Sequence, residues 1–181
     1  MFRRACDTAE VRAELVVSLY DPRWPEMFQY LRRRLLRHVE DLVLAIEHVG
    51  STAVPGCAAK PIIDLDIVLR DAALMPELIA RLTEQDGYQH EGDLGIPGRE
   101  AFAKRSPVRH HLYGVVVDTK PYLDHILLRD YLRTHPAAVR RYSELKLSPV
   151  TELGVDSAAR DAYPVAKSGF VEDLLGKAHA A

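Results

Sequence analysis

An eight-residue run, Ile62-Ile63-Asp64-Leu65-Asp66-Ile67-Val68-Leu69, is apolar at every position but two, and those two are aspartates. Its β-branched residues and its length predict a strand. Side chains alternate faces along a strand, so Ile63, Leu65 and Ile67 enter a core while Asp64 and Asp66 project together from the other face. Two ionised carboxylates side by side repel, and taking them out of water is costly unless a cation or donors compensate. A divalent metal is the usual compensation, and Mg²⁺ prefers carboxylate oxygens together with substrate phosphates. A pair of aspartates at a sheet rim, held by water or arginines, satisfies the spacing equally well.

The rest of the chain builds around this strand. Leu15 to Tyr20 reads as a short strand, and Asp21-Pro22-Arg23-Trp24-Pro25 as a turn into a helix. Phe28, Leu31, Leu35, Val39 and Leu42 recur at three- and four-residue steps, an amphipathic helix whose Arg32, Arg33, Arg34 and Arg37 face water. Leu44 to Val49 reads as a strand broken by Gly50-Ser51-Thr52, and Met75 to Gln85 as a helix ending near Gly87. Asp93 to Arg99 is a loop, followed by strands at Glu100–Lys104 and His111–Val117. Helices then cover Tyr122–Thr134 and Ala137–Leu147, and a last stretch from Ser157 to Ala178 carries Pro164 as an interruption. Strands in the middle and helices at both ends predict an α+β domain over 15–178, after a flexible segment 1–14.

Composition removes several function classes. Within 181 residues, Cys6 and Cys57 are the only cysteines, so neither a disulfide framework nor a zinc site built on cysteines is expected, and a cytoplasmic setting fits. The formal net charge of -2 argues against nucleic acid as the partner. No apolar run is long enough to cross a bilayer, and the first ten residues lack the apolar region of a signal peptide.

Upstream of the aspartates, Glu47-His48-Val49-Gly50-Ser51-Thr52 runs from a strand into Gly-Ser and a helical turn. Glycine lets backbone approach a phosphate, and exposed N–H groups favour its charge. A lone Gly-Ser is commonly a plain turn; here the Asp-x-Asp strand follows about a dozen residues later.

That order resembles the polymerase-β-like nucleotidyltransferase fold, and more specifically the GrpB-like family. Tyr20-Asp21-Pro22-Arg23-Trp24-Pro25 looks like the family's opening motif. Ile46 to Gly56, followed by Ala59-Lys60-Pro61-Ile62-Ile63-Asp64, is similar to its central signature. Arg109-His110-His111-Leu112 looks like its histidine strand, and Arg129 to Arg133, Tyr142, Lys146, Tyr163 and Lys167 resemble its helical tail. The family's pattern has histidine where Tyr113 stands and leucine where Cys57 stands.

The resemblance implies a mixed sheet flanked by helices with a helical C-terminal part. It implies Gly50 and Ser51 on nucleotide phosphates, and Asp64 and Asp66 on Mg²⁺. Lys60, Arg129, Arg133 and Lys167 would assist in holding the ligand. The superfamily's third carboxylate has no counterpart on the strand carrying His111, Tyr113, Val115 and Val117; His111 stands as the candidate base. Asp118 and Asp124 fall at or beyond that strand's end. The implied activity is Mg²⁺-dependent transfer of a nucleoside monophosphate from a nucleoside triphosphate to a small-molecule acceptor. The alternative is a non-catalytic nucleotide- or anionic-metabolite-binding module, linked to coenzyme A metabolism through the fusion of family members to dephospho-coenzyme A kinase domains. The oligomeric state is left open. For Arg129 and Arg133, four apart on one helical face, a salt bridge with Asp130 is the plain reading; for His48, a core position; for Lys146, a solvated helix surface.

Overall fold

The computed structural model describes residues 17–153 and 168–178. Five strands form one mixed sheet in the order β1-β2-β5-β4-β3. They are β1 (Val43–Val49), β2 (Ile63–Leu69), β3 (Gln89–Gly92), β4 (Arg99–Ala103) and β5 (His110–Val116). β2 and β5 run parallel and pair Asp64 with His111 and Asp66 with Tyr113; the other neighbours are antiparallel. The helices are α1 (Trp24–Val39), α2 (Met75–Glu84), α3 (Lys120–Thr134) and α4 (Pro136–Leu153). Residues 168–178 are also helical.

The alternation along β2 separates two environments. Ile63, Leu65, Ile67 and Leu69, with Leu112 of β5, meet Phe28, Leu31 and Leu35 of α1 and Leu78 and Leu82 of α2 in the main core. Burying aliphatic side chains of this size contributes roughly 1.5–3 kcal/mol each, which is what seats both helices on this face. α1 presents its apolar stripe inward and leaves Arg33, Arg34 and Arg37 exposed, as the periodicity predicts. Gly114 of β5 lets α2 come close: a Cβ there would lie 2.9 Å from a Leu78 methyl. The opposite face of the sheet carries the two aspartates and is covered by α3. A second core of Val54, Cys57, Leu132, Val139, Tyr142 and Leu174 ties α3, α4 and residues 168–178 together, with Tyr142 stacked on Phe170 at 5.3 Å.

Three expectations shift. Within the described part of the predicted strand at Leu15–Tyr20 there is only an isolated bridge, Ser18 to Ala59, so those residues lash the turn after β1 rather than join the sheet. The edge strand β3 was not anticipated: Gln89, His90 and Glu91 are all exposed and show no apolar alternation. Pro136 opens α4 instead of lying between two helices, because proline is tolerated in a first turn. The segment 1–14 and Pro164 lie outside the described residues. Among the described residues no helix is long and apolar enough to cross a membrane.

Candidate functional site

β1 ends at Val49, directly opposite Asp64 of β2, and the chain must turn away there without covering the aspartate. Gly50 makes that turn at φ 71° and ψ −171°, and Ser51–Ala53 follow as a single 3-10 turn. The turn is braced from both sides. From the main core, the His48 ring stacks on Phe28 at 4.7 Å and its Nε2 lies 3.0 Å from the Thr52 hydroxyl, which donates to the Ile62 carbonyl at 3.4 Å. Thr52 has one hydroxyl proton, so toward His48 it accepts, and Nε2 carries the hydrogen. Burial pushes the His48 pKa down to about 4, so the ring is neutral. From the other side, Lys146 of α4, fully buried, donates to Ser51 Oγ at 2.9 Å and sits 3.9 Å from the Tyr142 ring centre.

Below the turn lies a cavity of about 490 Å³. Gly50, Ser51, Lys60, Asp64, His111, His125, Arg99 and Arg129 all line it, with Tyr113 on its floor. Its volume lies within the ~300–1,000 Å³ common for small-molecule sites. Among the described residues Lys60, Arg99 and Arg129 line it against one lining carboxylate, Asp64, and although Arg129 is also matched by Glu47 and Asp130 behind the wall, the wall leans toward an anion.

Each aspartate of β2 is matched with an imidazole. Asp64 Oδ1 accepts from His111 Nδ1 at 2.8 Å, on the neighbouring strand. Asp66 is completely buried and accepts at Oδ2 from His125 Nδ1 of α3, also at 2.8 Å; its Oδ1 has no hydrogen-bond partner among the described residues. Burial raises the Asp66 pKa against the opposing pull of His125. Burial works to lower His125, but its bond to Asp66 and the charges of Asp66 and Asp64 outweigh that and raise it. Both shifts run the same way, so the pair keeps a shared proton to higher pH. Tyr113 lies between the two imidazoles, 6.3 Å from His111 and 5.9 Å from His125, and burial pushes its pKa up to about 12. Arg99 rests on the Tyr113 ring at 4.4 Å; it is 9% exposed, its Nη2 reaches the Asp93 carbonyl at 3.5 Å, and its Nε has no hydrogen-bond partner among the described residues.

A family model described as GrpB protein matches residues 14–177. The chain belongs to the GrpB family. Among its GrpB-family relatives, the UPF0157 protein YqkA of Bacillus subtilis is 36% identical over 139 residues, which are 75% of this chain and 39% of that protein. The UPF0157 protein PA4798 of Pseudomonas aeruginosa is 35% identical over 164 residues, 89% of this chain and 66% of that protein. The chain thus spans less than two thirds of the length of either. The crystal structure of the conserved protein GrpB from Enterococcus faecalis superposes with a TM-score of 0.77 at 30% identity, covering 90% of this chain and 96% of that one.

Of the GrpB-family positions singled out above, Gly50, Ser51, Lys60, Asp64, His111 and Arg129 come together on one cavity. Arg129 also carries the plain reading, donating to Asp130 at 2.7 Å and to Glu47 at 2.6 Å. Asp66 is not on the cavity wall: it is fully buried and bonded to His125. Arg133 is not on the wall either. Its Nε and Nη2 donate to the Ala53 carbonyl at 3.0 and 2.9 Å, so it holds the 3-10 turn. Lys167 and Tyr163 lie outside the described residues. His110 is structural: its Nδ1 donates to the Val108 carbonyl at 2.8 Å and its Nε2 accepts from Tyr88 at 2.7 Å.

Sequence reasoning passed over His125, Arg99 and the burial of Lys146. His125 lies four residues before Arg129, on the same helical face, so extending that face by one turn finds it. Lys146 follows Val139 and Tyr142 at steps of three and four, a lysine on an apolar stripe. Arg99 carries no such signal, since it opens β4 straight after a loop.

The Asp66–His125 pair has a measurable worth. His125→Leu strips Asp66 of its hydrogen-bond partner while the carboxylate stays buried, and is expected to cost about 2 kcal/mol. Removing both, Asp66→Leu with His125→Leu, is expected to cost less than His125→Leu alone, since no buried charge is left uncompensated. Urea midpoints of the three proteins decide it; a double variant weaker than the single would count against the pairing.

Proposed function

We propose that the central cavity binds a nucleotide, or an anionic metabolite of similar size, through its phosphate groups. The observation that carries this reading is Arg99: a guanidinium 9% exposed, on the cavity wall, whose Nη2 reaches the Asp93 carbonyl at 3.5 Å while its buried Nε has no hydrogen-bond partner among the described residues. A buried cationic donor left unpaired is costly, and a phosphate oxygen arriving in the cavity is the kind of group that removes the cost. Lys60 and Arg129 reinforce the same preference, and Gly50 and Ser51 bring backbone to the same wall.

The nucleotidyltransferase resemblance also implies a Mg²⁺ held jointly by Asp64 and Asp66, and the residues present do not fit it. Asp66 is fully buried and committed to His125, Asp64 is bonded to His111, and among the described residues no three acidic, histidine or cysteine side chains are placed to share one ion. Mg²⁺ keeps several waters and near-octahedral geometry, which a carboxylate sealed behind an imidazole does not offer. We therefore favour the binding module over the transferase. Transfer of a nucleoside monophosphate to a small acceptor is the second reading, kept by one observation: Asp64 and His111 share the wall with Gly50 and Ser51.

Calorimetric titration with each nucleoside triphosphate, with and without Mg²⁺, separates the two. The binding reading expects affinity without Mg²⁺, weakened roughly 10- to 100-fold in Arg99→Leu, the loss of a charge-assisted hydrogen bond. It expects Asp64→Asn to bind at least as tightly as wild type, because one negative charge leaves an anion site. Mg²⁺-dependent binding abolished by Asp64→Asn would instead favour the transferase reading, and no binding of any triphosphate would sink the transferase and reject a nucleotide as the ligand of the cavity.

A further inference from the structure

A second cavity adjoins the first across His111. The connection from β4 to β5, residues 104–109, carries Lys104, Arg105 and Arg109, and these three line a hollow of about 430 Å³ with Ser106 and His110. Among the described residues no acidic side chain lines it. Ile62 and His111 belong to both cavities, so the His111 imidazole is the partition between them. The resemblance to a family reached only the end of this loop, Arg109, and gave it no role.

The hollow has a built frame. At the loop's start, the Lys104 ammonium is held by Asp86 Oδ1 at 2.6 Å and lies 4.9 Å from the Tyr88 ring centre. At its end, the Arg109 carbonyl accepts from the Ile63 N–H at 3.0 Å, fixing the loop against β2. The His110 contacts with Val108 and Tyr88 lock the stretch between. This leaves the Arg105 and Arg109 side chains exposed at the rim of a concave surface, their charges unanswered by any lining carboxylate. Guanidinium groups recognise planar oxyanions and phosphates in a bidentate manner.

We propose that this hollow is a second anion subsite, which takes the phosphate group of a small molecule distinct from the ligand of the central cavity, the two ligands meeting at His111. Its standing as a partner subsite rests on the central cavity being a nucleotide site; its anion binding does not. A phosphate in the hollow brings the rest of its molecule to His111, which already faces Asp64 and the first cavity. The protein then holds two phosphate-bearing small molecules in contact, with the Asp64–His111 pair at their junction.

The probe is inorganic pyrophosphate, titrated into the whole chain and followed by backbone amide shifts and by calorimetry. Wild type is compared with the double variant Arg105→Glu, Arg109→Glu, whose thermal midpoint checks folding. The expected result is shifts at Ser106, Arg109 and His111. In the double variant, pyrophosphate Kd is expected to rise about tenfold or more while ATP affinity, read at Gly50 and Ser51, changes less than about twofold. Pyrophosphate shifts confined to Gly50 and Ser51, or an unchanged Kd in the double variant, overturn the second site. ATP leaving Gly50 and Ser51 unmoved while pyrophosphate still moves Ser106 and Arg109 defeats the central-cavity reading and leaves the second site standing alone.

Discussion

Gly50→Ala is expected to cost about 3 kcal/mol or more of stability and to separate Asp64 from His111. Two independent effects add. The backbone at Gly50, φ 71° with ψ −171°, lies in a region only glycine occupies easily, and holding another residue there costs on the order of 1–3 kcal/mol. The added methyl would also lie 2.3 Å from Asp64 Oδ2 and 3.0 Å from its Cγ. Asp64 is short and its Cβ is itself only 3.1 Å away, so the carboxylate has to rotate off the His111 ring. Denaturant midpoints of Gly50→Ala and of Gly50→Ala with Asp64→Ala separate the terms. Truncating Asp64 removes the steric conflict with the carboxylate and leaves the backbone strain, so partial recovery is expected, judged against Asp64→Ala alone. Full recovery would discard the strain argument; none would discard the steric one.

That same contact shows what was legible in the sequence and what was not. The Asp-x-Asp strand, its inward and outward faces and the helices that cover its apolar side follow from period-2 and period-3.6 patterns, and the structure has them at nearly the expected boundaries. The Gly-Ser turn beside the aspartates was also readable, because a glycine after a strand punctuates it. The reason the glycine is needed was not: a 2.3 Å approach to a residue fourteen positions later is a fact of sheet register, which no local pattern encodes. β3 escaped for a related reason, since an exposed polar edge strand has no buried face to print on the sequence.

Two side chains of α3, His125 and Arg133, lie where spacing alone does not place them, for a common cause. His125 sits in α3, whose apolar periodicity is weak because one face serves a cavity rather than a core, so nothing in its surroundings marked it. Arg133 was marked by its spacing from Arg129, yet the α3 axis carries it past the cavity to the Ala53 carbonyl. Helical spacing names the face a residue lies on, not how far along the axis the site extends. His48 is a core position, as expected, and also braces the loop through Thr52, with a consequence for pH.

Stability is expected to fall by about 3 kcal/mol between pH 6.5 and pH 4 on account of His48 alone. The ring is 8% exposed and burial, the largest cause, holds its pKa at about 4, whereas the unfolded chain protonates it near 6.5. In that window the unfolded state binds a proton that the folded state refuses, so unfolding becomes easier as pH falls; below about 4 both states are charged and the loss levels off. A gap of roughly 2.5 pK units at about 1.36 kcal/mol each gives the magnitude. His125 acts with the opposite sign. Its raised folded pKa gives a contribution complete below its unfolded value and lost as pH rises through the folded one, so it does not mask the acid loss. His48→Gln keeps an N–H donor within reach of Thr52 and removes the titration. Urea-derived unfolding free energies for wild type and His48→Gln, measured from pH 7 to pH 4, are expected to converge as the medium is acidified, because carboxylate contributions common to both cancel in the difference. Curves that fall in parallel over that range would mean His48 is protonated in the folded protein, and the Thr52 brace that seats Ser51 at the cavity would then need another account.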